Sequence, residues 1–139
     1  MIWILVFILA LALFLLPQWW VGRVLKRHSE PRDDFPGTGG ELAQHLIKTQ
    51  GLEGVKVEST DSGDHYDPMD KMVRLTPDKL EGHSLTAIVV AAHEVGHAIQ
   101  DHNKETTFNA RIKAAKFANV AQRITPVAFW ISPLVALIN

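Results

Sequence analysis

The chain has 139 residues, 47% of them apolar, with 14 basic against 15 acidic residues and a net charge of −1. That length holds one small domain, and the balanced charge gives no sign of a nucleic-acid surface. The chain has no cysteine, which excludes disulfides and thiolate metal sites and leaves histidine and carboxylate as metal ligands.

Residues 2–16 form an unbroken apolar run, followed by Trp19 and Trp20. At 1.5 Å per residue, residues 2–21 span about 30 Å, the thickness of a bilayer core. The paired tryptophans suit an interfacial belt, and Pro17 is expected to end or kink the helix there. A cleaved signal peptide needs basic residues before the run and a small-residue cleavage site after it, and neither is present. A buried core helix would carry a polar face, and this one has none. Residues 1–21 therefore read as a transmembrane anchor. Arg23, Lys26 and Arg27 follow the run while only Met1 precedes it, so the positive-inside rule places the following domain in the cytoplasm.

Residues 22–40 read as a basic flank and linker, rich in Pro31, Pro36, Gly37, Gly39 and Gly40. From Thr38 the pattern turns helical, with Leu42, Leu46 and Ile47 at helix spacing and Gly51 as the stop. Residues 55–57 read as a short strand, and 61–64 as a turn. Asp64-His65-Tyr66-Asp67-Pro68 reads as a structured turn, because its acidic spacing does not match a calcium loop. Residues 71–75 alternate and predict a second strand, paired with the first or lying at a sheet edge. An edge there would let extended substrate pair with its main chain.

Ser84 predicts an N-cap for a helix over residues 85 to about 101. Ala87, Ile88, Ala91, Ala92, Val95 and Ile99 give it a broad apolar surface. Within it stands His93-Glu94-Val95-Gly96-His97. Two histidines at i and i+4 share one helix face, so His93 and His97 are candidate zinc ligands. Glu94, beside the first, is the candidate general base for a zinc-activated water. Gly96 is costly in mid-helix, which suggests either close approach of another backbone or simple tolerance.

Zinc needs a third protein ligand. Asn103 stands where the metzincin spacing requires histidine. His102 is off the ligand face of a continuous helix, Asp101 suits a capping or supporting role better, and Glu105 is a weak candidate. The third ligand is expected beyond Asn139. His28, His45 and His83 read as surface residues. A second helix is predicted over residues 104–122, and residues 124–139 read as the start of a second transmembrane segment. That segment stops with no basic flank, so the chain is expected to be a fragment.

The chain resembles the membrane-bound neutral zinc metallopeptidases of the bacterial YugP-like family. The resemblance rests on the N-terminal anchor, Asp64-His65-Tyr66-Asp67-Pro68, Val73-Arg74-Leu75, and Ala91-Ala92-His93-Glu94-Val95-Gly96-His97-Ala98-Ile99-Gln100, in matching order and spacing. It implies an α+β, mainly helical zincin-like domain over residues 41–123 with a small hairpin or sheet, flanked by membrane helices. It also implies a Zn²⁺ cofactor, peptide or protein substrates, a bacterial inner-membrane location and a downstream acidic ligand. The alternative is a non-catalytic membrane protein that keeps a metal-binding or structural helix. Glu94 favours the enzyme, because a structural zinc site needs no base.

Overall fold

The computed structural model describes residues 2–136, with side chains as far as residue 126. The elements run α1 (Ile2–Arg27), α2 (Gly39–Thr49), β1 (Lys56–Ser59), β2 (His65–Asp67), β3 (Met72–Leu75), α3 (Pro77–Leu80), α4 (Leu85–His102) and α5 (Thr106–Ala136). They divide into two compact units, Met1–Ile99 and Gln100–Asn139. The chain is thus mainly helical with one small sheet.

In the first unit, α1 is long and apolar enough to cross a membrane, and none of it is buried. It continues through Pro17 to Arg27, so the helix does not end at Pro17. Proline removes one N–H and crowds one carbonyl, but the flanking leucines and tryptophans favour helix and offer the backbone no competing partner. Near its end the Arg23 guanidinium lies 4.0 Å from the Trp19 ring centre, a cation–π contact suited to an interfacial level.

The helix expected from Thr38 begins at Gly39. The Thr38 hydroxyl accepts from the Glu41 N–H at 3.1 Å, and the Thr38 N–H donates to Glu41 Oε2 at 2.8 Å, which is a capping box. At the other end Gly51 adopts φ +63°. Its N–H bonds to Lys48 O at 3.2 Å and the Leu52 N–H to Ile47 O at 3.0 Å. This is the Schellman stop, which requires the left-handed conformation glycine adopts freely. Gly39 and Gly40, where the expected linker and the expected helix overlap, are the buried first turn of α2. A Cβ on Gly39 would lie 2.3 Å from Lys79 O and 2.8 Å from Ala87 O, so the helix rests directly on the backbones of α3 and α4.

The sheet order is β1-β3-β2, with β1 parallel and β2 antiparallel to β3. The strand expected near residues 71–75 is present and does pair with the first. It is not an edge, because β2 occupies its other side, so β3 has no free ladder for substrate. Sequence reading took His65-Tyr66-Asp67 for a turn because aspartate and proline, which strands disfavour, surround it. Alternation on β3 is as expected: Val73 and Leu75 are fully buried, and Arg74 faces the other way. Arg74 bonds Glu58 at 2.5 Å, Asp67 at 2.6 Å and Asp70 at 2.7 Å, tying all three strands and the β2–β3 turn together.

The two aspartates of the Asp-His-Tyr-Asp-Pro element are engaged by protein donors. Asp64 Oδ1 accepts from the Thr76 N–H at 2.7 Å and its hydroxyl at 2.9 Å. Asp67 Oδ1 accepts from the N–H groups of Met69 at 2.8 Å and Asp70 at 3.3 Å. Burial pushes the Asp67 carboxyl up, but these N–H groups and the Arg74 guanidinium outweigh it and hold the group below the usual carboxylate range.

α4 starts as expected. The Ser84 hydroxyl accepts from the Ala87 N–H at 3.1 Å, an N-cap bond. Ala87, Ala91 and Val95 are fully buried and join Ala43, Leu52, Val73 and Leu75 in the core. The small alanines let neighbouring backbone come close, as the Gly39 contact illustrates.

In the second unit, α4 ends at His102 and Lys104 takes φ +54°. α5 then begins two residues later than predicted and runs through Pro126 and Pro133 as one helix to Ala136. Among the described residues α1 is the one helix long and apolar enough to cross a membrane. The second transmembrane segment expected over residues 124–139 draws on side chains from 127 onward and on residues 137–139, which lie outside those described.

Candidate metal centre

The site is a property of α4. A helix turns about 100° per residue, so His97 projects about 40° from His93 and one turn farther along. The structure brings the pair together: their ring centres are 4.5 Å apart with planes at 73°. With Zn–N bonds of about 2.0–2.1 Å, two imidazoles on one tetrahedral ion have centres roughly 5 Å apart. The observed pair is within a small side-chain adjustment of that spacing, so the ring spacing is compatible with a shared zinc. His93 is exposed and His97 half-buried, which leaves the metal position open to ligands from outside the helix.

Glu94 projects about 100° from His93, toward the core side. It is 8% exposed, between the wet histidine face and the buried row of Ala87, Ala91, Val95 and Ala98. A carboxylate there is held close to the metal face without facing open solvent. On the other flank Val89 is 50% exposed, one turn ahead of His93. Sequence reading passed over it, although its i−4 spacing from His93 is the available signal. A Cβ on Gly96 would meet nothing within 4 Å among the described residues, so none of them makes the close backbone approach that was one explanation of this glycine.

Among the described residues no group of three or more histidine, aspartate or glutamate side chains is arranged to hold a metal. α4 is unbroken to His102, and His102 and Glu105 are exposed. His28 is exposed as expected, with Nδ1 2.9 Å from Val24 O at the end of α1. His45 and His83 are also exposed. His65 is half-buried on β2, with Nδ1 donating to Gly63 O at 2.8 Å; the carbonyl partner fixes the proton on that nitrogen.

A groove of about 700 Å³ runs beside α2, lined by Phe35, Leu42, His45, Lys48 and Ile88 among others. Ile88 projects about 140° away from His93 around α4, so this groove does not open on the histidine face. The structure also reveals Thr86, a positioning residue that sequence reading missed. Its hydroxyl donates to Leu25 O at 2.6 Å, and its N–H to His28 O at 3.1 Å. The first turn of α4 is thereby fastened to the end of α1.

A sequence profile of the family described as "Putative neutral zinc metallopeptidase" matches residues 3–139. The chain is 33% identical over 141 aligned residues to "Putative membrane protease YugP" of Bacillus subtilis (strain 168). The alignment covers 100% of this chain and 63% of that protein, so the chain spans less than two thirds of that relative's length. No solved structure matches the chain.

Proposed function

The chain belongs to the neutral zinc metallopeptidase family, and from that premise we propose that it is the anchored, zinc-dependent part of a peptidase that hydrolyses peptide bonds at the outer face of α4. The observation that carries this reading is the His93–His97 pair, 4.5 Å apart on an open helix face, with Glu94 tucked in beside it. His93 and His97 would hold the ion through neutral ring nitrogens. Zinc, when bound, supplies Lewis acidity toward a peptide carbonyl and a water molecule. Glu94 takes a proton from that water as its oxygen adds to the carbonyl carbon. It then delivers the proton to the departing amine as the C–N bond breaks. A third ligand comes from outside the described residues, in a zincin-like arrangement whose domain faces the cytoplasm.

The second reading, a non-catalytic metal-binding or structural helix, has one observation in its favour: the absence of a three-ligand group among the described residues. Casein cleavage by the full-length protein in detergent separates the two. The peptidase reading expects activity that a chelator removes, that zinc restores, and that Glu94→Gln and His93→Ala each abolish. Zinc binding without Glu94-dependent cleavage sinks it in favour of the second reading.

A further inference from the structure

We infer that this site acts on peptide bonds just outside a bilayer, in the juxtamembrane segments of membrane-embedded proteins, in preference to freely soluble chains; the inference rests on the peptidase reading above. It is carried by the join between α1 and α4. Thr86, 3% exposed, donates its hydroxyl proton to Leu25 O at 2.6 Å and its N–H to His28 O at 3.1 Å. The Arg32 N–H donates to His83 O at 2.8 Å. The end of the apolar helix and the first turn of the metal-site helix are thus bonded twice, at Leu25 and His28, and the Arg32–His83 bond ties together the segments beside them.

This join limits how far the site stands from the membrane. Trp19, Trp20 and Arg23, with Arg23 over the Trp19 ring, mark the interfacial level of α1. Leu25 lies five residues past Trp20, about 7.5 Å along the helix axis. His93 lies seven residues past Thr86, about 10.5 Å along α4. Whatever angle the two helices make, His93 stands within about 25 Å of the tryptophan level once the bonded Thr86 side chain is included. An extended chain leaving a membrane span covers that distance in about seven or eight residues. A bond at that position in a membrane-tethered substrate has the highest effective concentration at the site. The advantage falls roughly as the −3/2 power of any longer spacer.

The test uses the full-length protein in phosphatidylethanolamine–phosphatidylglycerol vesicles. One casein-derived segment is offered free, or fused to a single-span helix through a Gly/Ser spacer of about 8 or about 32 residues. The short spacer should be cleaved roughly eightfold faster than the long one. Thr86→Val, which removes the hydroxyl bond of the join, should reduce that ratio by slowing the short-spacer substrate more than the free segment. Equal rates at the two spacers, with the free segment cleaved, overturn the substrate class alone. Loss of all Glu94-dependent cleavage, free and tethered, overturns the peptidase reading and the substrate class with it. A readout independent of activity comes from Val89→Cys, in a protein cleared of any cysteine outside these 139 residues, which themselves contain none. Energy transfer from a donor there to headgroup-labelled lipid should report a separation within about 25 Å, and a larger one overturns the inference.

Discussion

Gly39→Ala and Gly96→Ala make the same chemical change in two helices and should move stability in opposite directions. Both remove backbone freedom from the unfolded chain and improve helix propensity by up to about 1 kcal/mol. At position 96 nothing among the described residues lies within 4 Å of the new methyl, so that gain of about 1 kcal/mol should appear in full. At position 39 the methyl would sit 2.3 Å from Lys79 O and 2.8 Å from Ala87 O. Both are backbone atoms of other elements, with no flexible side chain to yield, so α2 must shift away from α3 and α4. Overpacking costs about 1–3 kcal/mol, and with two backbone clashes the upper part of that range applies, for a net loss of about 2 kcal/mol. The two variants should therefore differ by about 3 kcal/mol, or roughly 12–24 °C in melting temperature for a domain of this size. Thermal unfolding of the two variants in the same detergent, followed by circular dichroism, measures the difference. A Gly39→Ala variant as stable as wild type would refute the close contact of α2. A destabilised Gly96→Ala would show that some group does approach the metal face.

Other consequences are as direct. Thr38→Ala removes the acceptor of the capping box and should cost about 1 kcal/mol in denaturant unfolding; no measurable loss would mean the cap is redundant. The Asp67 carboxyl is held below its usual range, so its contribution is complete above the unfolded value of about 3.9 and is lost as pH falls through the lower folded value. Stability measured from neutral pH downward should therefore fall more steeply below about pH 4 in wild type than in Asp67→Asn. Parallel curves would remove Asp67 from the account.

The helices and the juxtaposition of the two histidines were largely legible in sequence because their signals are local. The Thr38/Glu41 pair, the Gly51 stop and the Ser84 cap each act within four residues, and their hydrogen bonds appear where expected. The i,i+4 histidine pair likewise needs only a helix to bring its rings together. What escaped was set by contacts distant in sequence. β2 is three residues long amid aspartates, and only pairing with β3 makes it a strand. That pairing moves β3 from an edge to the centre. The glycines at 39 and 40 resembled linker punctuation, and their role depends on carbonyls about forty residues away, at Lys79, Leu80 and Ala87. Thr86 bonds a carbonyl 61 residues earlier, a partner no local pattern announces. A metal site poses the same problem: its ligands are defined by convergence in space, and among the described residues no group of three or more candidate side chains converges.

The most direct test of the account takes a single preparation of full-length Glu94→Gln protein and measures both zinc per chain and casein cleavage beside wild type. His93 and His97 hold the ion in this account, and Glu94 moves the proton. The variant should therefore keep wild-type zinc content and lose cleavage by at least about 100-fold, the lower end of what general acid–base catalysis contributes. Wild-type cleavage by the zinc-loaded variant would contradict Glu94 as the base, and loss of its zinc would contradict the division of roles on α4.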